Sequence, residues 1–301
     1  MWKFLESTRA IAITLGACAA LTIAPSGSAS AAALLFNDFS NLTGLQLNGS
    51  TSSIHSCTGG VGSTCSAVTD THGHNVLRLT STTSQAGSAF STTAISLDQN
   101  ASFSTSFQFH FTDQQNGGAD GIVFALQTVS NTAGGSGGGI GYAGLSNSVG
   151  IEFDSWNNGA GDGHSDNHVG INIGGDVNSV VLDTNPGFTL DSGSLITAWI
   201  DYDGTNDLLE VRANTTGVRP GSALLSYTVD LVQELGSTDA FVGFTSGTGA
   251  AGADHDIVAW QFNSEFNPID TIGVPEPGTL AIVGVGLLGM SLVRRRGRRA
   301  A

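Results

Sequence analysis

Lysine is almost missing from this 301-residue chain: Lys3 is the only one, and the other nine basic residues are arginines. Between positions 32 and 270 the basic side chains are Arg78, Arg212 and Arg219 alone, against 23 of the 25 acidic residues. A domain this anionic repels nucleic acid and acidic membrane surfaces, and suits cations and neutral ligands. Cysteine is scarce too. Cys18 falls in an N-terminal apolar run, which leaves Cys57 and Cys65, too few donors for a zinc site of their own. No apolar run reaches the ~20 residues of an ordinary membrane span. No stretch carries a convincing helical period, and no internal repeat is present.

What is present is a succession of β-rich segments separated by turn residues: 34–36, 45–47, 76–80, 88–97, 101–111, 122–126, 149–153, 168–173, 179–182, 195–202, 208–212, 223–229, 240–245 and 257–262. Segment 101–111 alternates most cleanly, with Phe103, Thr105, Phe107, Phe109 and Phe111 on one face and Ser102, Ser104, Ser106, Gln108 and His110 on the other. The aromatic face is assigned to the core and His110 to a solvated face. Many short strands at this spacing indicate an all-β, antiparallel two-sheet sandwich. Cys57 and Cys65, in HSCTGGVGSTC, are expected to form a short-loop disulfide, worth about 2–3 kcal/mol by loop closure, with two free thiols as the alternative.

At the N-terminus, Lys3 and Arg9 precede the apolar run 11–23 and the small residues Ser28, Ala29, Ser30, Ala31 and Ala32. This arrangement predicts a secretory signal peptide over residues 1–31 and a mature domain over residues 32–270.

Residues 149–173, VGIEFDSWNNGAGDGHSDNHVGINI, begin and end as strands around a ligand-rich loop. Glu152 and Asp154 share a strand face, joined by Trp156 and Asn158 if the extension continues. Two unpaired carboxylates that close repel and are costly to desolvate, and a divalent cation with oxygen ligands removes the repulsion. His168 adds a nitrogen donor suited to a transition metal. Glu152, Asp154, Asp162 and His168 therefore read as a second site beside a calcium site. Asp166 is an alternative to Asp162, and a metal-free acidic hairpin is the alternative to both sites.

This segment resembles the metal loop of the legume-type (L-type) lectins, roughly V-E-F-D-T-x-x-N, a variable loop with Asp, then H-I-G-I; here it runs from Val149 through Glu152-Phe153-Asp154 and Asn158, Asp162, to His168-Val169-Gly170-Ile171. Phe36-Asn37-Asp38-Phe39, Leu77-Arg78-Leu79-Thr80, Trp199-Ile200-Asp201-Tyr202, Val242-Gly243-Phe244-Thr245 and Asp256-Ile257-Val258-Ala259-Trp260 follow in the family's order, so the resemblance covers about residues 34–266. It implies a concanavalin-like jelly roll. It also implies calcium held by Asp154, the Trp156 carbonyl, Asn158 and Asp162, and manganese or another transition metal held by Glu152, Asp154, Asp162 and His168. The Cys57/Cys65 loop and the histidine-bearing insert at 161–166 depart from the plant proteins.

The same resemblance assigns sugar contacts. Gly118-Ala119-Asp120-Gly121 is similar to the family segment in which the aspartate accepts hydrogen bonds from sugar hydroxyls after a cis Ala-Asp peptide, which implies that role for Asp120. The glycine-rich Gly137-Gly138-Gly139-Ile140-Gly141-Tyr142 is similar to the loop that offers a backbone N–H, from Gly138 or Gly139. A phosphate-binding loop is disfavoured, because no lysine follows and no strand-to-helix context exists. Asn158 would hold both calcium and sugar, and Ala250 or Ala251 would add main-chain contacts. Tyr142 and Trp156 would either stack on the sugar or pack in the core.

Residues 273–301 form a different module: Pro275-Glu276-Pro277, an apolar run over 279–293, and an arginine cluster over 294–299. This order resembles the PEP-CTERM sorting signal of Gram-negative bacteria, which implies transient membrane association, cutting by an exosortase-type enzyme and delivery to the cell surface or matrix. A retained anchor, arginines inside, is the alternative. The expected function is a secreted, calcium-dependent carbohydrate-binding protein, not an enzyme. A laminarinase-type glycosidase shares the sandwich and carries E-x-D-x-x-E. Here the last position is Asn157, so the second catalytic carboxyl is lacking. A structural matrix protein with calcium but no sugar is the third reading.

Overall fold

Period-two alternation becomes strands throughout the described residues of the computed structural model, which are 33–58, 64–128, 132 and 134–272. The expected signal peptide and the Pro275-Glu276-Pro277 tail lie outside them. In chain order the elements are β1 (Ala33–Phe36), β2 (Leu45–Gly49), α1 (Ser50–Ile54), β3 (Val68–Thr69), β4 (Asn75–Thr80), β5 (Ala86–Ser91), β6 (Ile95–Ser96), β7 (Phe103–Gln115), β8 (Gly121–Gln127) and β9 (Ser148–Asp154). There follow β10 (His168–Ile173), β11 (Val181–Asp183), β12 (Ile196–Asp203), β13 (Leu208–Asn214), β14 (Leu225–Thr228), α2 (Leu231–Leu235), β15 (Asp239–Gly247) and β16 (Gly252–Asn263).

Every strand pairing is antiparallel. The first sheet runs β14-β13-β12-β7-β16-β4-β3 with β1 also on β16, and the second runs β11-β10-β9-β8-β15-β5-β2 with β6 also on β15. Between them lies an aromatic core. Phe107 meets Phe244 at 4.9 Å between ring centroids, Phe109 meets Phe153 at 4.9 Å, and Phe244 meets Trp260 at 4.9 Å. These rings are fully buried, and the edge-on contacts of Phe244 with Phe107 and Trp260 each add about 0.5–1.5 kcal/mol beyond the area they bury. Trp260 Nε1–H donates to Thr105 Oγ1 at 2.9 Å, which satisfies the one polar handle on the aromatic face of β7. The Cys57–Cys65 disulfide is formed.

The sheets depart from expectation in three places. Segment 88–97 is two strands, β5 and β6, because the register against β15 shifts by two residues between Phe90 opposite Gly243 and Ile95 opposite Ala240. Short helices are also present. α2 has Asp230 as its N-cap, accepting from Gln233 N–H at 3.0 Å, Gly236 at its C-terminus with φ 65°, and Leu231 and Leu235 buried one turn apart. His110 is buried rather than solvated, because the turn around His72 roofs the outer face of β7, with the His72 and His110 rings 5.7 Å apart.

Candidate functional site

Three neighbouring strands of the second sheet form the floor of the site. Asp154 on β9 stands opposite Gly121 of β8 and His168 of β10, and Glu152 stands opposite Val123 and Gly170. Because Phe153 points into the core, Glu152 and Asp154 both point out of the sandwich. Gly170 leaves room for the Glu152 carboxylate: a Cβ there would lie 2.6 Å from Glu152 Oε1. Glu152 is further held by Asn172 Nδ2–H, donating to Oε2 at 2.5 Å, and by Ser179 Oγ–H, donating to Oε1 at 2.7 Å. Sequence reasoning passed over Asn172, although residues 168, 170 and 172 share one strand face.

The strand ends at Asp154, so the extension does not reach Trp156. Instead the chain turns: Asp154 Oδ1 accepts the Trp156 N–H at 2.7 Å, and Asp162 Oδ2 accepts the Asn158 N–H. The turn brings Asp162 over the strand floor. Asp154, Asp162 and His168 each present a donor atom, all within 4.8 Å of one another, and His168 Nε2 lies 3.5 Å from Glu152 Oε1. Asp166 is elsewhere, lining a cavity of about 350 Å³ with Trp156, Asn167 and Asp191.

The electrostatics of this cluster are unbalanced. Glu152, Asp154, Asp162 and His168 are all buried, and neither ring nitrogen of His168 has a hydrogen-bond partner. Burial pushes the Asp154 carboxyl well above the usual range, and the Glu152 charge pushes it further. Asp162 is raised by burial as well. Such a group of buried carboxylates with an orphaned imidazole is what a divalent ion with oxygen and nitrogen ligands would satisfy, so the donor set fits a metal.

Asp120 is joined to this cluster through its own peptide. The Ala119–Asp120 bond is cis, and Asp120 O accepts the Ser155 N–H at 2.8 Å and the Ser155 Oγ–H at 3.0 Å, one residue past Asp154. Its Oδ2 is buried without a partner. Burial lifts its pKa to about 6, against the opposing effect of the Gly249 N–H, while the Asp162 charge adds to the rise. The glycine-rich loop closes over from one side. A Cβ on Gly138 would come within 2.7 Å of Asn158 Cγ, whereas one on Gly139 would face Ala143. Gly137 N–H donates to Thr248 O at 3.0 Å, which brings in the third loop. There Ala250 is exposed, with its carbonyl accepting from Asn116 Nδ2–H at 2.8 Å, and Ala251 is buried.

Two aromatic residues resolve differently. Tyr142 is fully buried, its hydroxyl donating towards Ser148 O and Asn172 O at 3.3 and 3.2 Å, so it packs and does not stack on a ligand. Trp156 is 38% exposed on the cavity it shares with Asp166. Asn157, the position where a glycosidase would need an acid, builds the loop: its Nδ2–H donates to His164 O and its Oδ1 accepts from Gly159 N–H, both at 2.9 Å.

Known proteins share this sheet architecture. A family model described as the legume lectin domain matches residues 63–276, and the PEP-CTERM protein-sorting motif matches residues 273–299. The L-type lectin-domain containing receptor kinase VIII.1 of Arabidopsis thaliana is 32% identical over 171 residues, which are 55% of this chain and 24% of the kinase. Agglutinin-2 of Cladrastis kentukea is 34% identical over 175 residues, 54% of this chain and 58% of the agglutinin. The chain thus spans about a quarter of that kinase and under two thirds of the agglutinin. The structure of winged bean acidic lectin complexed with methyl-α-D-galactose superposes with a TM-score of 0.61 at 26% identity, covering 79% of this chain and 99% of that one.

Proposed function

The chain belongs to the legume lectin domain family and ends in a PEP-CTERM sorting motif, and on that premise we propose that it is an exported, calcium-dependent carbohydrate-binding protein of the cell surface or extracellular matrix, with no enzymatic activity. The observation that carries the reading is the buried, unpartnered Asp120 Oδ2 standing one hydrogen-bonded residue from the Asp154, Asp162 and His168 cluster. In this reading Asp154, the Trp156 carbonyl, Asn158 and Asp162 hold calcium. Glu152, Asp154, Asp162 and His168 hold manganese or another transition metal. The ions neutralise the carboxylates and fix the loop, and Asp120, Asn158, the Gly138 N–H and the main chain at Ala250 or Ala251 meet sugar hydroxyls. Single-site affinity is expected to be weak, because a sugar's hydroxyls are already well solvated, so many copies on a matrix polysaccharide would act together.

Residues 1–31 act as the signal peptide and an exosortase-type enzyme of a Gram-negative cell envelope cuts the tail near Pro275-Glu276-Pro277. Mass spectrometry of the exported form is expected to show a chain lacking the arginine cluster; an intact cluster would favour a retained anchor. For the binding reading, a glycan array probed with the exported protein in calcium is expected to give hits that disappear in chelator. A blank array at high protein density, with calcium bound by elemental analysis, would favour a structural matrix role. Release of reducing sugar from β-glucans, lost in Glu152→Gln, would overturn the non-enzymatic reading.

A further inference from the structure

We propose a further metal site, separate from the Asp154 cluster, for a transition dication of the zinc class, formed by Asp70, His72 and His110 on the outer face of the first sheet. No part of the lectin reading uses these residues, and the site lies on the opposite sheet from the Asp154 cluster. His110 sits on β7 directly opposite Asp256 of β16, and Asp256 in turn stands opposite Arg78 of β4. Over this row folds the turn Asp70-Thr71-His72-Gly73-His74, whose tight reversal uses Gly73 at φ 88°. Asp70 Oδ1 accepts the backbone N–H groups of His72 and His74, each at 2.8 Å. That leaves its other oxygen, Oδ2, aimed at three imidazoles: His74 Nδ1 at 2.9 Å, His110 Nε2 at 3.4 Å and His72 Nδ1 at 3.9 Å.

The observation that points to a ligand is His110. It is 2% exposed, yet its Nε2 makes no hydrogen bond, although Asp70 Oδ2 and Asp256 Oδ2 lie only 3.4 and 3.6 Å away. A tetrahedral zinc with ligands at about 2.0–2.2 Å spaces its donor atoms roughly 3.3–3.6 Å apart. One donor atom from each of Asp70, His72 and His110 already lies within 4.8 Å of the other two. Two imidazoles and one carboxylate select a borderline transition metal over calcium or magnesium. The His74 ring, on the same carboxylate oxygen, orients it, as partners of metal-bound carboxylates do. The surroundings favour a cation, because Arg78 is already shared between Asp254 at 2.6 Å and Asp256 at 2.7 Å. His72 is 56% exposed in its side chain, which gives the ion its path of entry. Bound there, it would pin the turn at 70–74 to β7 and keep a fourth position for water.

The test is zinc binding by the exported full chain in excess calcium, measured by equilibrium dialysis, with cobalt substitution read by visible absorption. Wild type is compared with Asp154→Ala, His72→Ala and His110→Gln. Expected is a zinc equivalent that survives in Asp154→Ala and weakens about tenfold or more in His72→Ala and in His110→Gln, with cobalt bands of tetrahedral intensity lost in the same two variants. His72→Ala alters an exposed side chain and is expected to keep the wild-type melting temperature in chelator, so its loss of zinc reads the site and not the fold. The proposal is overturned if wild type takes up no zinc equivalent, if the equivalent present is lost in Asp154→Ala, or if both histidine variants bind it as wild type does.

Discussion

His168 and His110 occupy equivalent places in the two sheets, each opposite an aspartate of the neighbouring strand: Asp154 for one and Asp256 for the other. Their surroundings differ in one respect. Around His168 the charges are Glu152, Asp154 and Asp162, with no arginine or lysine paired to any of them among the described residues. Around His110 one aspartate, Asp256, is already paired, through two hydrogen bonds from Arg78 at 2.8 and 2.7 Å, and the other, Asp70, is held by the His72 and His74 N–H groups. A buried carboxylate needs either a cation or a proton. The second sheet supplies no such side-chain cation among the described residues, whereas the first meets most of the requirement with its own arginine.

Removing the built-in cation should therefore hurt most. Arg78→Met is expected to cost about 3–5 kcal/mol, because Asp254 and Asp256 are left buried without a counter-charge; thermal unfolding in calcium measures it, and an unchanged melting temperature would break the comparison. Removing the borrowed cation should cost less. At a hundredfold excess over Kd, calcium adds about 2.7 kcal/mol to stability, so chelation is expected to lower the melting temperature by that equivalent in wild type and to do nothing in Asp154→Ala.

A third histidine sharpens the contrast because it has no cation role. His255 is fully buried, with Nδ1 at 2.7 Å from Thr80 Oγ1 and its ring edge-on to Phe111. Burial pushes its pKa from 6.5 to about 3, against the opposing Asp256 charge. The folded state then binds fewer protons than the unfolded state between those values, so the stability it contributes is present above pH 6.5 and is lost as pH falls towards 3. The slope in that window is up to about 1.4 kcal/mol per pH unit. His255→Gln is expected to flatten this acid limb in urea titrations run at successive pH values; an acid limb identical to wild type would mean that His255 takes up its proton without unfolding. The smallest expected effect on stability is that of Asp120→Ala, since Oδ2 has no partner and the carboxyl gives up only the Gly249 N–H.

The same contrast explains what was legible in the sequence. The donors around His168 fall within residues 152–168, so a contiguous pattern exposes them, and so do the alternating phenylalanines of β7. The Asp70, His72 and His110 group is assembled by sheet register and a folded-back turn. From the sequence alone, His110 occupies the polar face of an amphipathic strand, and nothing local says that a loop will cover it. α2 is too short for a helical period, although Asp230 and Gly236 mark its ends. The choice of Asp162 over Asp166 depends on a loop conformation in which Asp162 takes the Asn158 N–H, which spacing does not encode.

If the Asp154 cluster holds metal that supports sugar binding by Asp120, sugar contact and metal support must separate in single variants. The measurement is one glycan array, in calcium, probed with wild type, Asp120→Ala and Asp154→Ala, alongside their melting temperatures with and without chelator. Expected are wild-type hits that vanish in both variants, with calcium-dependent stability kept in Asp120→Ala and lost in Asp154→Ala. Hits that persist in Asp120→Ala, or calcium-dependent stability that persists in Asp154→Ala, would contradict that division of roles.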